Sequence, residues 1–347
     1  MTDRYHRQIL LPQIGQAGQA RLSAARVLLV GCGALGTVIA EQLVRAGVGT
    51  LRIVDRDVVE LTNLQRQVLF DESDAKEETP KAVAAAKRLG SINSSVKIEP
   101  LVVDLHAGNA EELAGLEAGG VRVDLILDGT DSAETRYLLN DVSVKHGVPW
   151  VYGACVGMEG RMMAIRPPGM ACLRCIFPEP PRPGELATCD TAGVFSPVAA
   201  VVASLQVAAA IKLLTGADPG HDLFTLDLWN NRIRATSTID AKRADCIACG
   251  QRRFQFLEQR GGSASTSLCG RNAIQVRPAG RVVMDLDVVA SKLGSAGVVE
   301  RTPHLVRCHI NGSEDLRLTV FSDGRLIVQG TSDSDRARSI YARYIGT

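Results

Sequence analysis

A glycine-rich turn between an apolar run and a helical pattern is the feature that most constrains the fold of this chain. The run Arg26–Val30 leads into Gly-Cys-Gly-Ala-Leu-Gly at residues 31–36, and an Ala- and Leu-rich pattern continues to Ala46. A second apolar run, Thr50–Val54, ends at Asp55. This order predicts a strand, a turn, a helix and a second strand, in which backbone N–H groups at the turn bind a phosphate and the carboxylate holds a ribose.

Strand and helix patterns continue to alternate along the first 250 residues, which predicts an α/β fold with a doubly wound, mostly parallel Rossmann-like sheet. We expect strands at 96–102, 123–127, 150–152 and 162–166, and helices at 80–89, 132–146 and 196–214. Two later runs, 223–228 and 232–238, predict a hairpin that extends the sheet in antiparallel fashion. The proline-rich stretch 177–183 predicts an irregular loop.

The length of 347 residues favours about two domains. We predict a nucleotide-binding domain over 1–250, a linker over 251–270 with a Gly/Ser-rich centre, and a small α+β domain over 271–347. Residues 251–347 contain 14 basic and 9 acidic side chains, so their net charge of +5 differs from the net −4 of residues 1–250. The overall net charge of +1 argues against a nucleic-acid partner.

Two further features bear on location. The N-terminal residues do not resemble a secretory leader, so we expect a cytoplasmic protein. The uncharged stretch 191–211 is long enough to span a bilayer, but its Pro, Ser, Gln and many Ala residues indicate a buried core helix, with no membrane partner.

Nine cysteines in a chain of this kind favour metal binding or catalysis over disulfides. Two Cys-x-x-Cys pairs, Cys172 with Cys175 and Cys246 with Cys249, predict a structural Zn²⁺ site, because four thiolates leave no open coordination position. Two redox dithiols are the competing interpretation.

A further cysteine, Cys189, lies just after the proline-rich loop and before the long helix, which suits an exposed nucleophile.

The residues that follow Asp55 differ from those of a nicotinamide-dependent dehydrogenase. Polar and charged side chains in this stretch are Asp57, Asn63, Arg66, Gln67 and Lys81. Cations here suit a triphosphate whose pyrophosphate leaves, so they favour ATP over a dinucleotide. Asp131, after the predicted strand 123–127, is either a ligand of Mg²⁺ or the N-cap of the next helix.

Taken together these motifs resemble the adenylyltransferases that activate ubiquitin-like sulfur carriers in molybdopterin and thiamine biosynthesis, relatives of ubiquitin-activating enzymes. The resemblance extends from Arg4 to Gly250. It rests on Arg-Tyr-His-Arg-Gln at 4–8, the glycines Gly31, Gly33 and Gly36, Asp55-x-Asp57, Asn-Leu-Gln-Arg-Gln at 63–67, Lys81, Asp-Gly-Thr-Asp at 128–131, Gly-Met-Glu-Gly at 157–160, Thr-Cys at 188–189 and both cysteine pairs.

The resemblance implies a reaction in which the C-terminal Gly-Gly carboxylate of a carrier protein attacks the α-phosphate of ATP and releases pyrophosphate. It implies that Asp55 holds the ribose and that Asp131 holds Mg²⁺. It assigns the phosphates to Asn63, Arg66 and Lys81.

The same resemblance implies a homodimer in which Arg7 enters the neighbouring subunit's ATP site. In some members a cysteine at the position of Cys189 forms a thioester or acyl disulfide, and a cysteine desulfurase or sulfurtransferase is a further partner. The chain departs from the family at Gly129, where Cys is frequent, and at Thr79, where Gly is frequent.

The C-terminal part has no cysteine loop of a sulfurtransferase domain, so docking and dimer stabilisation both stay open for it. The alternative functions are an NAD-dependent oxidoreductase, an ATP-sensing scaffold, and a relative that modifies a peptide or tRNA.

Overall fold

A computed structural model describes residues 3–181, 189–259, 265–268, 272–278, 282–313 and 315–346. Two compact units make up the chain, residues 1–259 and residues 260–347.

The first unit is built on one eight-stranded sheet. Its strands are β1 (Arg26–Val30), β2 (Thr50–Val54), β3 (Lys97–Leu101), β4 (Leu125–Asp128), β5 (Trp150–Val156), β6 (Glu159–Ile165), β7 (Asp222–Asp227) and β8 (Arg232–Ser237). The strand order is β3-β2-β1-β4-β5-β6-β7-β8, with parallel pairing from β3 to β5 and antiparallel pairing from β5 to β8. The predicted mostly parallel sheet with an antiparallel extension is therefore confirmed.

Helices connect these strands and cover both faces of the sheet. They are α1 (His6–Ile9), α2 (Gly15–Ala24), α3 (Ala34–Ala46), α4 (Glu72–Lys76), α5 (Lys81–Ile92), α6 (Ala110–Leu113), α7 (Ala133–His146), α8 (Leu173–Ile176), α9 (Cys189–Ala192), α10 (Ser196–Thr215) and α11 (Gln255–Glu258). The two helices that follow β1 and β4 each end at a left-handed glycine, α3 at Gly47 (φ 84°) and α7 at Gly147 (φ 66°).

Alternate residues of each central strand face two different cores. Val27 and Leu29 of β1 pack with helices α3, α5 and α10, while Leu28 and Val30 pack with α7 and the segments around α8 and α11. All four side chains are buried, as expected of a strand covered on both faces. Parallel pairing places the carboxyl ends of β1, β2 and β4 together at one edge of this sheet.

Helix α10 is the one described helix with the length and apolar character needed to cross a membrane. In this fold 50% of its most apolar stretch is buried, against α3 and strands β5 and β6. A core helix of a soluble domain gives the same signal, so this feature is weak support for a membrane span.

The second unit is a six-stranded antiparallel sheet with two helices. Its elements are β9 (Ser265–Leu268), β10 (Ala273–Val276), α12 (Leu286–Leu293), β11 (Gly297–Arg301), β12 (Leu305–Ile310), β13 (Arg317–Phe321), β14 (Leu326–Gln329) and α13 (Ser334–Tyr344). The order is β11-β12-β13-β14-β10-β9. Its apolar core contains Val306, Leu318 and Val328 from the strands and Leu293 and Ile340 from the helices.

Two expectations about this region need correction. The predicted linker over 251–270 contains structure at both ends: α11 packs on α7, where Phe256 N donates to Asp141 (2.9 Å), and β9 pairs with β10. Helix α11 forms because Phe254 and Leu257, which lie among charged residues in the sequence, are buried against the core. Within 271–347 the sequence predicts one helix, over 333–344. The structure has a second helix, α12, before it, with Asp285 as its N-cap.

Candidate functional site

The glycine-rich turn forms the floor of the candidate site. Gly31 has a left-handed backbone (φ +86°), and a Cβ atom on Gly36 would lie 2.0 Å from the carbonyl oxygen of Gly31. At Gly33, directly before α3, the nearest neighbour of such a Cβ is Gln67 Nε2, at 3.8 Å. Gly31 and Gly36 thus allow tight packing, and Gly33 leaves open space at the N-terminus of α3, the geometry that accepts a phosphate.

Asp55, at the end of β2, is attached to this turn by backbone hydrogen bonds. Its Oδ2 accepts from Cys32 N (2.6 Å) and its Oδ1 accepts from Asp57 N (2.8 Å). Burial raises the pKa of Asp55, although the nearby charge of Lys81 opposes that effect. The carboxylate is therefore held in one orientation beside the turn.

Lys81 brings a positive charge into this group. It is 6% exposed, and its Nζ donates to Asp57 Oδ2 (3.1 Å). Burial alone lowers the pKa of Lys81, but Asp57, Asp55 and Asp131 outweigh it and raise the pKa overall. The amine is thus a permanent cation, and an ammonium has three donors, of which this ion pair uses one.

The loop that follows β4 packs directly on the glycine-rich turn. A Cβ atom on Gly129 would lie 2.4 Å from the carbonyl oxygen of Gly31 and 3.0 Å from Gly36 Cα. The absence of a side chain at Gly129 allows this close approach. Asp128 is fully buried and holds the loop by accepting from Thr130 N (2.9 Å) and Thr130 Oγ1 (2.8 Å).

Asp131 lies exposed at the end of this loop. Its negative charge raises the pKa values of Lys81, Arg56 and Arg136, so Asp131 belongs to the same charged group. The helix-cap alternative for Asp131 is wrong, because Ser132 Oγ accepts from Thr135 N (3.3 Å) and is the N-cap of α7. The Asp131 carboxylate is therefore not the cap of α7.

The segment 61–67 lies beside the turn. Gln67 is 4% exposed, and its Oε1 is buried with no hydrogen-bond partner among the described residues. Asn63 is buried and its Oδ1 accepts from Glu60 N (3.1 Å). Arg66 Nη1 donates to Thr62 O (2.9 Å), so in this conformation its guanidinium contacts its own segment.

Two predicted residues have no hydrogen bond or ion pair that links them to this group in the described part of the structure. Arg7 is exposed on α1. Cys189 begins α9, but its side chain lies outside the described part of the structure.

The four paired cysteines come together in a second place. The Sγ atoms of Cys172, Cys175, Cys246 and Cys249 all lie within 4.8 Å of one another. Three separations are 3.9 Å (172–175), 3.6 Å (172–246) and 3.4 Å (175–249). Zn–S bonds of about 2.3 Å in a tetrahedron separate sulfurs by about 3.8 Å, so the donor set fits one Zn²⁺ ion.

The carboxyl ends of β1, β2 and β4 and the loops that follow them form what we call the nucleotide edge. The sequence analysis missed three residues there. Arg56 pairs with Asp104, Arg136 pairs with the buried Asp128 (3.3 Å), and Gln206 Nε2 donates to Asp128 O (2.8 Å). Gln206 had a visible signal, since it is a single amide in an otherwise apolar stretch of α10. Arg56 stood between two recognised aspartates.

These positions form one arrangement at the carboxyl edge of β1, β2 and β4. Open backbone at a helix N-terminus and a buried ammonium suit a polyphosphate. The carboxylates of Asp55 and Asp57 suit a ribose and a hydrated cation, and the exposed Asp131 carboxylate suits the cation alone.

Comparison with known proteins gives three findings. The model of the ThiF family matches residues 5–248. The sulfur carrier protein ThiS adenylyltransferase of Bacillus subtilis (strain 168) is 44% identical over 348 residues, which is 100% of either chain. The sulfur carrier protein adenylyltransferase of Thermus thermophilus is 44% identical over 261 residues, 73% of this chain and 92% of that one.

Among solved structures, E. coli MccB crystallised with MccA-N7isoASN superposes with a TM-score of 0.62 at 21% identity, over 72% of this chain and 74% of that one. A likeness at this identity concerns the fold alone.

Proposed function

This chain belongs to the ThiF family, and we propose that it uses ATP to adenylylate the C-terminal carboxylate of a ubiquitin-like sulfur-carrier protein. The observation that carries this proposal is the 44% identity to the Bacillus subtilis ThiS adenylyltransferase over the whole of both chains. That match includes the second unit, so a carrier of the thiamine type is the first candidate and one of the molybdopterin type the second. The oxidoreductase alternative loses its basis in this family.

In the proposed reaction a carboxylate oxygen of the carrier attacks the α-phosphorus of ATP. The bond from that phosphorus to the bridging oxygen breaks, pyrophosphate leaves, and an acyl-adenylate remains. No general base is needed, because the terminal carboxyl group is ionised near neutral pH. The protein's task is to position both reactants and to stabilise the charge that moves onto the leaving group.

The residues of the nucleotide edge divide this task. Asp55 binds the ribose, the backbone at Gly31, Gly33 and Gly36 lines the phosphates, and Lys81 donates its remaining protons to them. Asn63, Arg66 and Gln67 approach from the segment 61–67, and Arg66 exchanges its contact with Thr62 for a phosphate oxygen. Asp131 and Asp57, which both raise the pKa of Lys81, would hold Mg²⁺, and the ion would neutralise charge on the pyrophosphate.

The four-cysteine cluster binds a structural Zn²⁺ in this proposal. Its support is the close approach of four sulfurs from two segments 71 residues apart in sequence. With four thiolates no position is open for substrate, so the ion stabilises the fold.

Arg7 supplies a charge from the partner subunit of a homodimer. Its support is the exposure of Arg7 on α1 beside Leu10 and Leu11, which are 58% and 51% exposed. Subunits with Arg7→Ala and subunits with Asp131→Ala are expected to be inactive alone, while a mixture should regain about a quarter of wild-type turnover through hybrid dimers with one intact site. A mixture that stays inactive after subunit exchange contradicts the shared site.

Later steps involve Cys189 and a sulfur source. We assign Cys189 to a thioester with the activated carrier: its thiolate attacks the carrier's terminal carbonyl carbon, the bond from that carbon to the phosphate oxygen breaks, and AMP leaves. We assign the delivery of sulfur to a cysteine desulfurase or sulfurtransferase. Reduced thiols in such chemistry fit a cytoplasmic location.

ATP–pyrophosphate exchange tests the proposed reaction. The enzyme with Mg²⁺ is compared alone and with candidate carriers that end in Gly-Gly. Exchange is expected with one intact carrier and should vanish when its last glycine is deleted. ATP binding without exchange in the presence of any carrier contradicts the proposal and favours a peptide, a tRNA or no substrate.

A further inference from the structure

Arg56 and Asp104 form an ion pair at the nucleotide edge that none of the assignments above uses. Arg56 directly follows Asp55 at the end of β2, and Asp104 lies three residues beyond the end of β3. The Nη1 atom of Arg56 is 3.1 Å from Asp104 Oδ1, and its Nε is 3.8 Å from Asp57 Oδ1. The guanidinium is therefore oriented from two of its edges.

The order of the strands says which part of a nucleotide lies near this pair. Phosphates lie at the N-terminus of α3, which follows β1, and the ribose lies at Asp55, which follows β2. In the sheet order β3-β2-β1, a nucleotide extended in this direction places its base beyond β2, toward β3. The ion pair bridges the ends of β2 and β3.

We propose that the guanidinium plane of Arg56, fixed by Asp104, stacks on the nucleobase and strengthens nucleotide binding. This inference rests on the proposed function, since it takes ATP as the ligand. A planar, weakly hydrated guanidinium stacks on aromatic rings, and its edges can be paired with carboxylates at the same time. The Arg56 side chain is 32% exposed and Asp104 is 14% exposed, so the arginine borders the open part of the site.

The chain contains a matched pair that serves as a control. Arg52 lies four residues earlier on β2, and its Nε donates to Glu99 Oε2 on β3 (2.9 Å). The exposed fractions of Arg52 and Glu99 are 21% and 20%. This pair crosses between the same two strands but lies away from their carboxyl ends. Arg52→Met therefore removes an equivalent ion pair without touching the nucleotide.

Calorimetric titration of the full chain with three ligands tests the proposal: ATP, adenosine, which lacks phosphates, and tripolyphosphate, which lacks a base. Arg56→Lys keeps the charge and loses the plane, so it should weaken ATP and adenosine binding about fivefold and leave tripolyphosphate unchanged. Arg56→Met should weaken ATP binding about tenfold or more, and Arg52→Met should match the wild type.

Three results would overturn the proposal: full adenosine affinity in Arg56→Lys, an equal loss for all three ligands in that variant, or the same loss in Arg52→Met. A wild-type chain that binds tripolyphosphate but neither ATP nor adenosine would overturn the proposed function together with this inference. Wild-type ATP binding with an unaffected Arg56→Lys variant would overturn this inference alone.

Discussion

The nucleotide edge and the cysteine cluster are both assembled in the first unit from residues far apart in sequence, yet they are built in opposite ways. At the edge, Gly33 faces open space and Asp131 is exposed. In the cluster three of the four cysteines are buried, and the sulfurs face one another. A site for a reaction keeps room and unequal charge, whereas a site for stability closes on itself.

The interactions that position the residues of the two regions differ as well. The edge is held mainly by backbone, through Asp55 and the glycine contacts. At the cluster, Arg174, which is 2% exposed and lies between Cys172 and Cys175 in sequence, connects this segment to its surroundings by donating to Pro178 O (3.1 Å) and Gln255 Oε1 (3.0 Å). Loss of the cluster should therefore disturb packing, and loss of an edge residue should disturb chemistry.

The largest expected effect that separates the two regions is on chemistry at the edge. Asp131→Asn should lower pyrophosphate exchange about 100- to 1,000-fold, because the carboxylate that we propose as the cation ligand is lost, while the melting temperature and any bound zinc stay at wild-type values. Asp124→Asn, at the opposite end of β4, is the matched control and should retain full exchange. Normal exchange in Asp131→Asn would remove Asp131 from the site. Arg66→Ala should behave like Asp131→Asn.

A somewhat smaller effect is expected from the cluster, and on stability first. Cys246→Ser should lower bound zinc, measured by elemental analysis, and reduce the free energy of unfolding by about 3 kcal/mol, because a ligand of a closed site is lost. Cys308→Ala, which changes a buried cysteine of the second unit, should keep the zinc. Full zinc and stability in Cys246→Ser would mean that the four sulfurs hold no structural ion.

A buried carboxylate on the cluster side sharpens the comparison through pH. Burial raises the pKa of Asp141 from 3.8 to about 6. As pH rises above 4 the unfolded chain releases this proton first, so the contribution of Asp141 to stability falls until about pH 6 and then stays low. The free energy of unfolding of Asp141→Asn, relative to that of the wild type, should therefore increase by about 1 kcal/mol from pH 5 to pH 8, measured by denaturant unfolding. A difference that does not change with pH would contradict a raised pKa.

The smallest expected effect on adenylation comes from Cys189. Cys189→Ala should leave pyrophosphate exchange unchanged, because the thiol acts after the acyl-adenylate forms, and should abolish any covalent adduct with the carrier in mass spectrometry. Unchanged sulfur transfer in this variant would show that Cys189 is a bystander.

The local elements of the edge were predictable and its contacts were not. The runs Arg26–Val30 and Thr50–Val54 match β1 and β2 residue for residue, because strands covered by helices on both faces are mostly apolar. The contacts of Asp57 with Lys81 and of Arg56 with Asp104 depend on which strands become neighbours. No local pattern contains that information.

The cluster was predictable in its members, since two Cys-x-x-Cys pairs suit one metal ion. The role of Arg174 beside the cluster was not predictable, because an arginine between two cysteines is expected at the surface. In the structure its guanidinium carbon lies 6.0 Å from the ring centre of Tyr137 and 5.5 Å from that of Phe256. The extra helices and strand of the C-terminal part were missed where short amphipathic segments adjoin Gly- and Ser-rich sequence.

The last strand of the large sheet has a consequence for solubility. All six residues of β8 are exposed, including Ile233. An exposed strand at a sheet margin can pair with the same strand of another molecule, and Arg232 and Arg234 oppose this because two copies would bring four cations together. Replacing both arginines with threonine should leave the fold intact and make the protein precipitate at lower concentration. These two charges thus oppose pairing of β8 with the β8 strand of another molecule.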